Sequence, residues 1–290
     1  MKGAVEYIST YLPKGRYLYG IIRTEDDQDL GPTCLPAGQQ AGLPDRLVGL
    51  RRAKVYPIGF RNIAALVSDH PLTKIKPLKE TLTAHDQVIK EAIQDFTIIP
   101  MAFGHIVRSA KEIRRLLEVN YPEIDRELNR LSNKVEMGLK ILWDVDNIFE
   151  YFVSRDRELR DFRDKIFGRS RQPTQGEKIE LGRLFESKLS RERQIHTEKV
   201  IRAFSHCTVD VKVNPPTHEK MVMNGVFLVE KGKERPFEER VHLAAGLFDG
   251  NFGFDYSGPW APHNFIELKI AELGSIPSPQ ESPRRLHRGL

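Results

Sequence analysis

The sequence predicts an α+β protein of two domains. Three observations carry that prediction. The chain has 290 residues, more than one hydrophobic core ordinarily organises. Stretches with a period of two alternate with stretches of helical period along most of its length. From residue 134 onward their order is strand, helix, helix, strand, strand, helix, strand, which is the split β-α-β pattern with insertions.

The elements are read in order. YLYGII, residues 17–22, is a buried strand. Residues 24–54, with GPTCLPAGQQAGLP at their centre, form a long loop, a length that is often functional or mobile. VYPIGF and IAALVS are two apolar runs around the polar step Arg61-Asn62, which predicts a β-hairpin. Leu78, Leu82, His85, Ile89, Ile93 and Phe96 recur every three or four residues and place a helix over 78–96. Pro100 closes that element, and MAFGHIV, 101–107, reads as a strand. SAKEIRRLLEVN is a helix capped by Ser109, with Glu112 at the capping-box position. PEIDRELNRL is a further short helix with proline in its first turn.

The period then changes. Val135, Met137, Leu139, Ile141 and Trp143 occupy every second position, as in a strand with one buried face. Residues 147–166 look helical, Arg169 to Pro173 form a break, and 176–205 form a long amphipathic helix. Val209, Val211 and Val213 alternate with polar residues in a half-buried strand over 208–214. MVMNGVFLV, 221–229, is a continuous apolar run that fits a central strand. RPFEERVHLAAGLF is a helix, Phe252, Phe254 and Tyr256 mark a strand, and FIELKI, 265–270, is the last strand. The expected division is a flexible extension over 1–16, an N-terminal α+β domain over 17–132, a C-terminal ferredoxin-like domain with a long helical insertion over 133–272, and a disordered basic tail over 273–290.

Composition narrows the function. Apolar residues make up 40% and charged residues 29%, as in a soluble globular protein. No window approaches the ~20 apolar residues of a membrane helix, and the first residues lack a signal-peptide core, so no membrane partner and a cytoplasmic location are expected. Cys34 and Cys207 are too few for a disulfide framework. The net charge of +5 resides in two segments, 154–173 at +3 and 275–290 at +2. Nucleic-acid binders concentrate positive charge on a folded face, so this distribution argues against nucleic acid.

No catalytic constellation stands out. His85 and Asp86 are helix neighbours about 100° apart and cannot orient one another. His85 also lies on the apolar stripe, as a packed, hydrogen-bonded histidine would. His206, Cys207 and His218 have poor chelating geometry, so neither a metal nor a cofactor is expected. GLFDGNFGF is glycine-rich but runs from helix to strand, the reverse of a phosphate cradle. In SGPWAPHNF, Gly258 and Pro259 stiffen a turn that carries Trp260. Trp260 is expected to plug the seam between sheet and helix; its alternative is an aromatic anchor for a partner.

Several of these segments carry a family likeness. KIELGRLFE, MVMNGVFLVE and FDYSGPWAPHNF resemble the C-terminal half of gas vesicle accessory proteins of the F/L type. YLYGII, IAALVSDHP, the helix histidine His85 and IIPMAFGHIV are similar to the N-terminal half, so the likeness runs in order over about 17–270. The chain departs from the family pattern at Ala102, His105, Gly225, Ala261 and His263.

The resemblance implies a non-enzymatic accessory role in building gas vesicles. Its partners would be the small hydrophobic shell protein and other accessory proteins. Such a helper would cover apolar surface and strand edges that otherwise self-associate. Pro100, Phe103 and Gly104 in the first domain, and Trp260, Pro262 and Phe265 in the second, are the candidate partner-binding residues, flanking an inter-domain groove. Two rivals remain open at this point. One is a binder of nucleic acid or an acidic partner through 154–173 and Arg284, Arg285 and Arg288; the other is an enzyme of the ferredoxin-like class.

Overall fold

A computed structural model describes residues 13–24, 43–44, 46–168 and 171–268. The chain forms two compact units, one of residues 1–133 with 260–290 and one of residues 134–259. Each mixes helix and sheet.

The first unit is built on β1 (Lys14–Arg23), β2 (Val55–Phe60), β3 (Ile63–Pro71), β4 (Ile98–Pro100) and β5 (Ile106–Val107). The sheet order is β2-β3-β1-β4, with β5 also on β1, and every pairing is antiparallel. β2 and β3 form the hairpin expected around Arg61-Asn62, with Arg61 in the left-handed region at φ 52°. Central β1 is buried on both faces: Tyr17, Leu18, Tyr19, Ile21 and Ile22 are all inaccessible to solvent. A bulge shifts the β1–β3 register between Leu18 and Gly20, and the absent side chain of Gly20 leaves room for Ile98. Helix α1 (Lys79–Asp95) packs on β1 and β4. Helix α2 (Ala110–Val119) packs on β2, β3 and β5, and α3 (Tyr121–Arg130) on β4. Ser109 Oγ accepts the Glu112 N–H at 3.2 Å, so the expected N-cap forms.

The second unit contains β6 (Lys134–Trp143), β7 (Asp210–Asn214), β8 (Met221–Glu230) and β9 (Phe252–Trp260) in the order β7-β8-β6-β9. β8 is central and antiparallel to both β6 and β7. Helices α4 (Ile148–Arg155), α5 (Arg157–Phe167) and α6 (Gln175–Phe204) connect β6 to β7, and α7 (Glu234–Ala245) connects β8 to β9. Phe227 of β8 sits between Phe204 of α6 and Phe237 of α7, with ring centroids 5.0 and 5.4 Å away, so both helices cover one sheet face. The 30-residue helix α6 starts on a reciprocal cap. Thr174 Oγ1 accepts the Glu177 N–H at 3.3 Å, and Glu177 Oε2 accepts the Thr174 N–H at 2.9 Å. Arg171 forks onto the same carboxylate and, with the cap, lowers its pKa to about 2. At Gly225, the Met223 and Phe227 side chains fill the space a methyl would take.

Several expectations are corrected. Strand β1 begins at Lys14, inside the segment assigned as a flexible extension. MAFGHIV is not one strand: Gly104, at φ 98°, makes a turn between β4 and β5. The helical stretch 147–166 is two helices, because the Asp156 carboxylate accepts the Leu159 N–H at 2.8 Å and starts a second one. Strand β7 is an edge strand, and Val209 and Val213 are exposed rather than half-buried. FIELKI forms no strand over 265–268: Phe265 ends a short 3-10 turn, His263–Phe265, and 269–270 lie outside the described residues. Residues 260–268 fall with the first unit, not with the C-terminal domain. Most of the loop 24–54, including Cys34, and the tail 273–290 lie outside the described residues.

Candidate functional site

The six candidate partner-binding residues all belong to the first unit. Trp260, Pro262 and Phe265, expected in the second domain, therefore share a unit with Pro100, Phe103 and Gly104, as two short segments that each meet α1.

The first segment is the turn after β4. Pro100 is buried at the strand end, Phe103 is half-buried and Gly104 is exposed. A hydrogen-bond chain fixes this turn. The Gly104 N–H donates to Tyr17 Oη at 3.1 Å. Tyr17 Oη lies 2.9 Å from His85 Nδ1, and His85 Nε2 lies 3.1 Å from the Met101 carbonyl. A carbonyl only accepts, so Nε2 carries the proton and Nδ1 accepts from the tyrosine. His85 is thus satisfied at both nitrogens, as its place on the apolar stripe predicted. Burial lowers its pKa and raises that of Tyr17 well above the ordinary phenol value. The Phe103 ring stands edge-on to His85, with centroids 5.7 Å apart.

The second segment starts at Trp260, the last residue of β9. Trp260 is 40% exposed, so it is not the plug the sequence suggested. Phe265 is the fully buried aromatic of this segment. Pro262 is buried beside it. The Lys90 ammonium of α1 lies 5.8 Å from the Trp260 ring centroid, a cation–π contact. Lys90 and His85 are on one helix, so α1 joins the two segments.

Sequence reasoning missed the residues that hold the second segment. Glu127 of α3 is buried and accepts two hydrogen bonds from Arg130, at 2.9 and 2.7 Å. The same carboxylate accepts the backbone N–H of Glu267 at 2.8 Å, while Arg130 donates to the Phe265 carbonyl. The pair reads in sequence as an ordinary exposed i,i+3 ion pair. Only the missing apolar residue at one position of a half-buried helix hinted otherwise.

The surface around α1 is apolar at its start. Leu78 and Leu82, which continue the stripe of His85 and Ile89, are 55% and 37% exposed. Leu82 lies one turn before His85 on the same helix. Among the described residues no group of three or more His, Cys, Asp or Glu is placed to hold a metal ion, and no helix is long and apolar enough to cross a membrane. The basic run 154–173 is largely ion-paired. Arg155 meets Asp249 at 3.0 Å, Arg163 meets Glu150 and Asp164 at 3.2 and 2.8 Å, and Arg171 meets Glu177 at 2.7 Å.

Comparison with known proteins agrees over almost all of the described chain. Gas vesicle protein F of Dolichospermum flosaquae is 24% identical over 255 residues, 87% of this chain and 97% of the relative. Gas vesicle protein L of a Streptomyces species is 24% identical over 270 residues. The crystal structure of gas vesicle protein GvpF from Anabaena sp. PCC7120 superposes with a TM-score of 0.72 at 24% identity, covering 88% of this chain and 99% of that one. GvpF from Microcystis aeruginosa superposes at 0.70 and 23% identity. The family model for gas vesicle synthesis protein GvpL/GvpF matches residues 15–267, and the chain belongs to that family.

Proposed function

We propose that this chain is a non-catalytic accessory protein of gas vesicle assembly, which binds the small hydrophobic shell protein, and other accessory proteins, in the cytoplasm and at the growing vesicle. A shell subunit that will face gas is strongly apolar before assembly, and its exposed surface and strand edges self-associate unless covered. The first unit offers a matching surface along α1: Leu78 and Leu82, the Phe103–Gly104 turn and Trp260.

The exposed position of Trp260 is the observation that carries this reading. A tryptophan is held out by a segment that Phe265, Glu127 and Arg130 tie down on its far side. A rigid, half-exposed aromatic keeps little conformational entropy to lose on binding, the property of an interface anchor. Pro100, Pro262 and Phe265 are buried and act by shaping that surface. Catalysis has less support, because the histidine on α1 is occupied at both ring nitrogens.

The second unit is proposed to be a modified ferredoxin-like domain. Its strand order and the two helices on one face support that assignment. The long α4–α6 connection would be the modification.

Co-expression with the small shell protein and a pull-down tests the function. Wild type is expected to retain the shell protein, and Trp260→Ala to lose it while keeping its thermal unfolding temperature. Equal capture by a folded Trp260→Ala variant would remove Trp260 as anchor.

A further inference from the structure

The second unit holds a cleft of about 590 Å³ between α4, α6 and the loop after α7. That is within the roughly 300–1,000 Å³ of ligand sites. Aromatic rings, Trp143 and Phe152 among them nearly buried, back a lining that is otherwise largely charged. Trp143 stands 5.4 Å from Phe152 and 6.2 Å from Phe252, and the His196 ring lies between Phe248 and Phe252 at 5.1 and 4.8 Å.

Most charges at its rim are already matched. Arg155 pairs with Asp249, Lys188 with Asp156 at 2.9 Å, and Glu192 faces His196. Two donors are left over. Arg191 meets no carboxylate and the Tyr151 hydroxyl makes no hydrogen bond among the described residues. The cleft therefore combines ring-lined walls with one unmatched cation and one unused hydroxyl. Both favour an anionic acceptor attached to an apolar body.

The apolar surface also extends beyond the cavity. Ile195 and Leu247 at the mouth are 45% and 52% exposed. Leu243, one turn before Leu247 on α7, is exposed as well. A small molecule inside the cleft would leave these side chains in water; a polypeptide segment would cover them.

We propose that this cleft seats an aromatic side chain of a partner protein, with a neighbouring carboxylate on Arg191 and Tyr151 and apolar flanks on Ile195 and Leu247. The proposal rests on the reading of the chain as a binding protein but uses residues separate from those of the α1 surface.

Trp143 reports the cleft directly. The chain has two tryptophans, so Trp260→Phe leaves Trp143 as the single fluorophore. The probe is a capped synthetic peptide with one Phe flanked by Glu and Leu. It should change Trp143 emission saturably. Peptides with Lys for Glu, or Ala for Phe, should bind at least about tenfold more weakly. Arg191→Glu should invert the preference between the Glu and Lys peptides, and Leu247→Asp should weaken both; each changed residue is on the surface, and a thermal melt confirms folding. No saturable change, an unaltered charge preference in Arg191→Glu, or equally tight binding of free phenylacetate would overturn the proposal. Arg191→Glu should also capture the shell protein as the wild type does. Loss of that capture would assign the cleft to the shell protein and overturn a separate partner.

Discussion

Glu127 accepts the backbone N–H of Glu267 at 2.8 Å, across 140 residues of chain. A buried carboxylate on α3 thereby fixes the segment that carries Trp260 and Phe265. Glu127→Ala removes this bond and leaves the Arg130 guanidinium without its carboxylate. The expected loss is about 2–3 kcal/mol, as for a charged hydrogen bond withdrawn from a buried partner. Urea unfolding measures it, and hydrogen exchange at the Glu267 amide should speed up more than exchange in β1.

Trp260 and Phe265 should separate cleanly. Phe265→Ala opens a cavity in the first core and should cost about 3–5 kcal/mol. Trp260→Ala, on a part-exposed side chain that Lys90 meets in a cation–π contact, should cost under about 1 kcal/mol. Urea midpoints of the two variants decide the matter. Equal losses would return Trp260 to the core.

The His85 network makes stability depend on pH. Burial depresses the His85 pKa, so the unfolded chain takes up its proton at a higher pH than the folded one does. Between the two values the unfolded state binds more protons. Stability is therefore full above the unfolded value of about 6.5 and falls as pH drops below it. The unfolding midpoint should be lower at pH 5.5 than at pH 7.5. His85→Gln keeps an N–H for the Met101 carbonyl and does not titrate, so its midpoint should shift less. Some slope will persist, because burial also depresses His70 and His196.

Gly258 precedes Pro259 at φ 131°, a conformation that strains any side chain. An added methyl would also stand 2.7 Å from Met137 Sδ and 3.0 Å from the Glu136 carbonyl. Gly258→Ala should cost more than about 2 kcal/mol, combining backbone strain with a clash on β6. Gly250→Ala, where nothing lies within reach of the methyl, is the control and should be close to neutral.

Much of the fold was legible locally. The hairpin at Arg61-Asn62, the Ser109 cap, the period-two run of β6 and the unbroken apolar run of β8 depend on contacts within a few residues. His85 could be read as a packed histidine from its place on the apolar stripe, although its partners, Tyr17 and the Met101 carbonyl, are distant in sequence. The helical break at Asp156 was also present in the residues. Its signature, a short acidic side chain three residues before Leu159, was hidden in a run of alternating charges.

The sequence by itself determined most helices and strands, because periodicity and capping act over neighbouring residues; the turn at Gly104 and the 3-10 turn ending at Phe265 escaped it. It also determined the family, through motifs that keep their order along the chain. Only the tertiary structure decided that Phe265 fills the core while Trp260 faces water, and that residues after 259 cluster with the first unit. Two aromatics five positions apart have the same hydrophobicity to a local reading. Which one is buried depends on a carboxylate at position 127 that no local pattern connects to them.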